Sequence, residues 1–385
     1  MVRLLRSLIL GAALCLGTGL ACFAQGADSV LEKLLSGGAD TEDFAPAFLS
    51  TISIDQVQGV IGQVRDLIGA PLIVEASDDG SFYVETMTHR ASGTIKLDDQ
   101  GRVLSLWFAA PEPIPQDMDT ALSQLNGLSD QVSWLVMRDG QVLSSKDADT
   151  PMAVASAFKL GVLSVLAQDI KAGTRKWADV VTLEARHKSL PTGQLQTLPD
   201  GSPVTLHTAA ALMISISDNT ATDLLIDVLG RDRIAMALGL DSILTTREFF
   251  ALKLNETAQA EYLLAAPEDR PALAAKAGQS LPQSSTVPPY VPGLEWTVPL
   301  SRLCALIMPL ADLPVMQINP GLAEPHNWAR VAYKGGSEPG VANFTTALLD
   351  DVGREVCVAV TFNGKDPINM LGAAAAYRGV LAVLR

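Results

Sequence analysis

The chain has 385 residues, 48% hydrophobic and 18% charged, so it is long enough for two domains and too apolar for an intrinsically disordered protein. Its formal charge is −14 with no basic run after the N-terminus, which argues against nucleic acid as a partner. The histidines, at 89, 187, 207 and 326, stand at neither H-x-H nor H-E-x-x-H spacing, and no glycine-rich phosphate loop occurs, so no metal or cofactor is expected.

Arg3 and Arg6 precede an apolar stretch from Leu8 to Ala21, and small residues follow through Ala27. That is the layout of a secretory signal over residues 1–27, cleaved between 21 and 27. The stretch is short for a membrane span, and no later segment could cross a membrane. The mature chain is therefore expected to be exported, periplasmic or secreted. Cys22, after Gly19-Leu20-Ala21, hints at a lipid attachment site. Cys15 and Cys22 would leave with the signal. Cys304 and Cys357 each sit in an apolar run, and either a disulfide or two buried thiols would fit.

Residues 28–110 read as a small α+β domain. Asp43–Ile54 and Asp55–Ile68 carry helical spacing, and Gly69 with Pro71 stops the second helix. The period then changes to two. Leu72–Ala76, Phe82–Met87, Thr94–Leu97 and Val103–Phe108 are expected strands, separated by turn residues. Pro111, Pro113 and Pro115 make 111–117 the expected linker.

The second domain, 118–385, opens with strands over Val132–Met137 and from Gln141, turned at Asp139-Gly140. The stretch Ala155-Ser156-Ala157-Phe158-Lys159 then stands at the head of an apolar helix. Ser156 and Lys159 would share one helix face, with the Ser156 N–H among the unpaired donors of the first turn. A turn and short strand follow over Lys171–Leu183, and a polar, turn-rich stretch over Pro191–Pro203. Thr205 caps a long apolar helix through Ile214. It ends in the polar run Ser215-Ile216-Ser217-Asp218-Asn219, before another helix expected over Thr222–Leu229. Residues 256–293 suggest helix and surface loop. Val331–Lys334 reads as a strand running into Gly335-Gly336-Ser337, with further strands at Phe344–Leu349 and Glu355–Phe362 and a closing helix over Asn369–Leu384.

The order Ser156-x-x-Lys159, then Ser217-Asp218-Asn219, then strand-borne Lys334-Gly335-Gly336 resembles the penicillin-recognising serine hydrolases, which include class A β-lactamases and D,D-peptidases. The resemblance covers residues 118–385, and the interval of 61 between Ser156 and Ser217 is close to that of class A enzymes. The stretch Ser189–Gln196 and the double-domain layout resemble a subgroup with a cystatin-like domain in front, and the helix-then-meander order of the first domain is similar to the cystatin or NTF2 type. The implied fold is the β-lactamase/transpeptidase-like α+β fold, an antiparallel sheet flanked by helices.

The implied chemistry is attack on an amide or ester carbonyl by Ser156, giving an acyl-enzyme. With no histidine nearby in sequence, Lys159 is the natural base. Burial and a second cation, Lys334, would favour its neutral amine. Ser217 would pass the proton to the leaving group, and the N–H groups of Ser156 and Ser337, beside Gly336, would hold the oxyanion. Asn219 would hold the acyl donor's side-chain amide, and Lys334 would attract its carboxylate. The substrate would be a β-lactam, ester or peptidoglycan-like molecule. Two departures stand out. The family's strand carries Lys-Thr-Gly or Lys-Ser-Gly, whereas Gly335 has no hydroxyl. Class A enzymes also place an asparagine four residues after a deacylating glutamate. The best candidate here, Glu248, is followed by Leu252 and is as well explained as the partner of an arginine. Acylation with slow turnover is therefore expected. A D,D-peptidase, an esterase, a sensor that acylates without turnover, and an adaptor acting through the first domain are the alternatives.

Overall fold

The structure, a computed structural model, describes residues 26–109, 111–280 and 290–385. Apart from Gly26 and Ala27, the expected secretory signal, with Cys15 and Cys22, lies outside the described residues, as do residues 281–289 of the expected loop. The chain divides into two compact units, with the boundary between Ile114 and Pro115. Among the described residues no helix is long and apolar enough to cross a membrane.

The first unit packs two helices with an antiparallel meander. Helix α1 (Ala27–Ser36) buries Val30, Leu31, Leu34 and Leu35, a helical period that is easily passed over in the sequence because it adjoins the expected signal. Helix α2 (Ile54–Ile68) opens on a reciprocal cap: Gln56 N–H donates to Ser53 Oγ (3.3 Å) and Ser53 N–H to Gln56 Oε1 (3.1 Å). The helix expected over 43–54 is reduced to one turn, Pro46–Leu49. Ser50 and Thr51 donate their hydroxyls back to Ala47 O and Phe48 O, which ends that turn before Ser53 starts the next. Strands β1 (Pro71–Ala76), β2 (Ser81–Thr86), β3 (His89–Leu97) and β4 (Val103–Phe108) pair in sequence order. Part of the expected 111–117 linker belongs to this sheet, because Glu112–Pro113 pairs with His89–Arg90. An outer position suits a proline, which has no N–H to donate inward.

The second unit is built on a sheet of β5 (Gln131–Arg138), β6 (Gln141–Lys146), β7 (Arg330–Glu338), β8 (Val341–Leu349) and β9 (Glu355–Asn363), ordered β7-β8-β9-β5-β6 and antiparallel throughout. The central strands read as continuous apolar runs because both faces are covered. On one face Val356, Val358, Val360 and Phe362 of β9 pack with α3 (Met118–Ser123) and the C-terminal helix (Met370–Val383). On the other face Cys357 and Ala359 meet the helical half of the unit. That half contains α4 (Lys159–Lys171), α5 (Leu206–Ser215), α6 (Asn219–Leu229), α7 (Arg231–Leu238), α8 (Thr246–Lys253) and α9 (Leu300–Ile307), together with helices over Glu256–Leu264 and Arg270–Ala277 and shorter segments. Cys304 of α9 and Cys357 of β9 form a disulfide, with Cα atoms 6.0 Å apart, which settles the question their apolar neighbours left open.

Candidate active site

The turn bearing Ser156 is held from three directions. Asn363, buried at the end of β9, accepts from Ala153 N (2.9 Å) and donates to Ala153 O (2.9 Å). Val154 N donates to Trp296 O (3.0 Å), and the Trp296 ring stacks on Phe158 at 4.2 Å between centroids. Between these anchors Ala155 adopts φ 43°, a left-handed conformation costly for a residue with a Cβ. The residues Ala155–Phe158 then form a 3₁₀ turn that runs into α4 at Lys159. The expected helix head is therefore a tighter turn, in which residues three apart eclipse, so Ser156 and Lys159 still share a face.

Lys159 is fully buried. Its Nζ lies 2.6 Å from Ser217 O, 2.7 Å from Asn219 Oδ1 and 3.1 Å from Ser217 Oγ. Lys334 reaches the same hydroxyl from β7, with Nζ 3.1 Å from Ser217 Oγ and 2.6 Å from Gly335 O. Burial, and then the charge of Lys334, hold the Lys159 pKa well below the ordinary lysine value, with Asp223 and Asp218 pulling weakly the other way. Burial alone pushes Lys334 down to about 7. Two of the groups around Lys159 Nζ are oxygens that only accept and the third is a hydroxyl that can donate, so a neutral amine is fully satisfied there.

Ser217 is aimed by strained backbone, with φ 59°. Its neighbour Asp218 anchors that conformation. Fully buried, Asp218 accepts Ala221 N (2.8 Å) as the cap of α6, and also Gln194 N (2.6 Å) and Leu195 N (2.9 Å). A Cβ at Gly193 would lie 2.3 Å from the Asp218 side chain, so that contact requires glycine. The helix expected from Thr222 therefore begins three residues earlier, at Asn219, because Asp218 is its cap.

Ser156, Ser217, Asn219, Lys334, Gly336 and Ser337 line one cavity of about 480 Å³, within the usual size for a small-molecule site. Gly336 lies against the serine turn: a Cβ there would fall 2.5 Å from Ser156 N and 2.3 Å from Val154 O. Asn219 lines the cavity with its side chain already held by protein. Its Oδ1 faces Lys159 and its Nδ2 donates to Leu190 O (3.0 Å), so both ends of the amide are engaged by protein. Glu248 lies elsewhere. It accepts two bonds from Arg231 (2.8 and 2.7 Å) and one from Thr245 N (3.0 Å), and it lines a second cavity with Arg186, Arg231 and Arg247. The class A pattern fails there because Leu252, four residues on, is a core residue.

Among the described residues, Glu338 is the one carboxylate that lines the Ser156 cavity, and no motif in the sequence singles it out. It shares buried Lys253 with Glu295, at 2.7 and 2.8 Å. Burial and the neighbouring Glu295 raise its pKa, with Lys253 pulling the other way. No local pattern brings residues 253, 295 and 338 together; only the tertiary fold does.

An antiparallel sheet with α3 and the C-terminal helix on one face and a helical half on the other, with the two-lysine cleft at their junction, defines the β-lactamase/transpeptidase-like fold. Residues 116–279 match the model of the beta-lactamase enzyme family. The structure is similar to the crystal structure of a beta-lactamase from Sphaerobacter thermophilus DSM 20745, at 20% identity over 69% of this chain and 97% of that one, with TM-score 0.50. It is also similar to a beta-lactamase from Desulfarculus baarsii DSM 2075 (20% identity, 70% and 99% covered, TM-score 0.48) and to PBP-A (17%, 70% and 98%, TM-score 0.47). No curated protein matches the chain.

Proposed function

We propose that this chain is an exported serine hydrolase that attacks the carbonyl of a β-lactam or a related amide or ester through an acyl-Ser156 intermediate. The observation that carries the reading is the pair of buried amines, Lys159 and Lys334, converging at 3.1 Å each on one hydroxyl, Ser217 Oγ, in the cavity that Ser156 lines. Lys159, kept neutral by burial and by its cationic neighbour, takes the Ser156 proton as Oγ bonds to the carbonyl carbon. The negative charge moves to the carbonyl oxygen, held by the N–H groups of Ser156 and Ser337. As the tetrahedral intermediate collapses, Ser217 hands a proton to the departing nitrogen or oxygen and recovers one from Lys159. Water completes the cycle by displacing Ser156.

That last step is slow in this reading, because Glu248 is bound to Arg231 away from the cavity and Glu338 is tied to Lys253, with burial raising its pKa. The same facts favour a second reading, a sensor in which the acylated state is itself the output. The first unit, with its helices followed by a four-stranded meander, fits a cystatin- or NTF2-like docking module.

Intact-protein mass spectrometry after exposure to benzylpenicillin tests the reading. The expected result is one persistent adduct, mapped to the peptide containing Ser156 and absent from Ser156→Ala. An adduct that survives in Ser156→Ala would refute it, and rapid turnover with no detectable acyl-enzyme would refute the slow second step.

A further inference from the structure

Tyr333 precedes Lys334 on β7 and lines the same cavity. Its ring fills space that two other residues would need. A Cβ at Gly335 would lie 2.1 Å from Tyr333 Oη, and one at Gly321 would lie 2.3 Å from the ring. Both positions are glycine, and they come from separate segments of the chain. Gly321 is itself fixed: its N–H donates to Asn319 Oδ1 (2.9 Å), and Asn319 Nδ2 donates to Ser215 O (2.9 Å), two residues before Ser217. The phenol is thus clamped between two stretches of backbone, with its oxygen over Gly335, in the cavity that Lys334 also lines. Adjacent strand residues point to opposite faces, yet both reach the cavity because β7 is the edge strand and the ring lies along it. Burial raises the pKa of Tyr333, so the hydroxyl keeps its proton, and among the described residues no hydrogen bond engages it. A protonated, immobilised hydroxyl that lines the same cavity as an amine offers two donors to a planar anion.

We propose that Tyr333 Oη is a substrate-specificity donor that, together with Lys334, receives a carboxylate on the acyl donor. The proposal rests on the acyl-Ser156 reading for its substrate class. It supplies the hydroxyl that Gly335 lacks, from two residues earlier on the strand. A donor whose carboxylate is masked gains nothing from the phenol.

The test compares benzylpenicillin with its methyl ester, two molecules differing only in that anion. Binding to Ser156→Ala is measured by titration calorimetry, where no covalent step intervenes, and the acylation rate is measured on the protein with Ser156 intact. Tyr333→Phe keeps the clamped ring and removes one oxygen. It is expected to weaken benzylpenicillin binding about tenfold while leaving the methyl ester unchanged, so the preference for the free acid collapses. Tyr333→Ala loses the preference too. Equal losses for acid and ester in Tyr333→Phe, or no loss, would overturn the assignment. So would equal affinity for the two compounds, or no binding of either, in Ser156→Ala itself. An acid preference that depends on Tyr333 in a protein that never acylates would instead refute the acyl-Ser156 reading and leave the phenol's role standing.

Discussion

Adding one methyl group at Gly336 is a direct probe of the reactive geometry. A Cβ there would sit 2.3 Å from Val154 O, 2.5 Å from Ser156 N and 2.9 Å from Ala157 N, all backbone atoms that cannot rotate away. Ordinary contacts begin at about 3.0–3.5 Å, so β7 must withdraw from the serine turn by about 1 Å. The strand carries Lys334 and Ser337 with it. The Lys334 Nζ–Ser217 Oγ bond of 3.1 Å then stretches beyond hydrogen-bonding range, and the Ser337 N–H leaves the oxyanion position. A misplacement of that size costs about 10²-fold in rate. The added volume costs about 1–3 kcal/mol of stability, which a large unit tolerates. The assay is the second-order rate of acylation of Gly336→Ala by a β-lactam, read by mass spectrometry, with thermal unfolding to show that the fold persists. A folded Gly336→Ala protein that acylates at the original rate would show that the closeness of β7 to Ser156 has no part in the chemistry.

Three further outcomes are expected. If acylation proceeds as proposed, it needs Lys159 as the amine, so its rate should fall as pH drops and that lysine takes up a proton. Because the charge of Lys334 helps keep Lys159 low, Lys334→Met should move this acid limb to higher pH, whatever the absolute rate, and a move to lower pH would contradict the assignment. Glu248→Gln should leave the lifetime of the acyl-enzyme within about twofold of the original while lowering the melting temperature, because its carboxylate serves Arg231 and the Thr245 cap rather than a hydrolytic water. A much longer lifetime would restore it as the base. Replacing Cys304 and Cys357 by alanine opens a loop of 53 residues and should cost about 4 kcal/mol in denaturant unfolding, and reductant should destabilise the original protein but not the double variant. Unfolding insensitive to reductant would contradict the cross-link.

The central sheet is legible in the sequence because its strands are apolar on both faces and separated by turn residues, and Val331–Lys334, Phe344–Leu349 and Glu355–Phe362 all fall inside observed strands. The convergence of Ser156, Lys159, Ser217 and Lys334 is legible for a different reason. Chemistry restricts the residue types; Ser156, Lys159 and Ser217 stand at element boundaries that composition reveals, and Lys334 lies within a strand marked by the glycines that follow it. The hidden features depend on contacts distant in sequence. Asn219 can be named but not oriented, since its two partners lie 60 and 29 residues away. A spacing rule judges Glu248 only against Leu252, whereas its surroundings depend on Arg231 in the preceding helix. The lysine shared by Glu295 and Glu338 leaves no local pattern at all. The helix at Ala27–Ser36 is obscured for a simpler reason: its apolar period adjoins the expected export signal and merges with it.

The order in which the strands are joined bears on when the serine can react. Ser156 is synthesised long before Lys334, and β7 is joined to β5 and β6 only through β8 and β9. A chain that has emerged no further than the helical half carries its hydroxyl without the second ammonium, and without the Asn363 that clasps the turn. On the acyl-Ser156 proposal, the serine stays an ordinary alcohol until the last strands zip into place. Competence is thereby tied to completion, and an unfinished polypeptide is chemically silent through its own topology, without a separate inhibitor to restrain it.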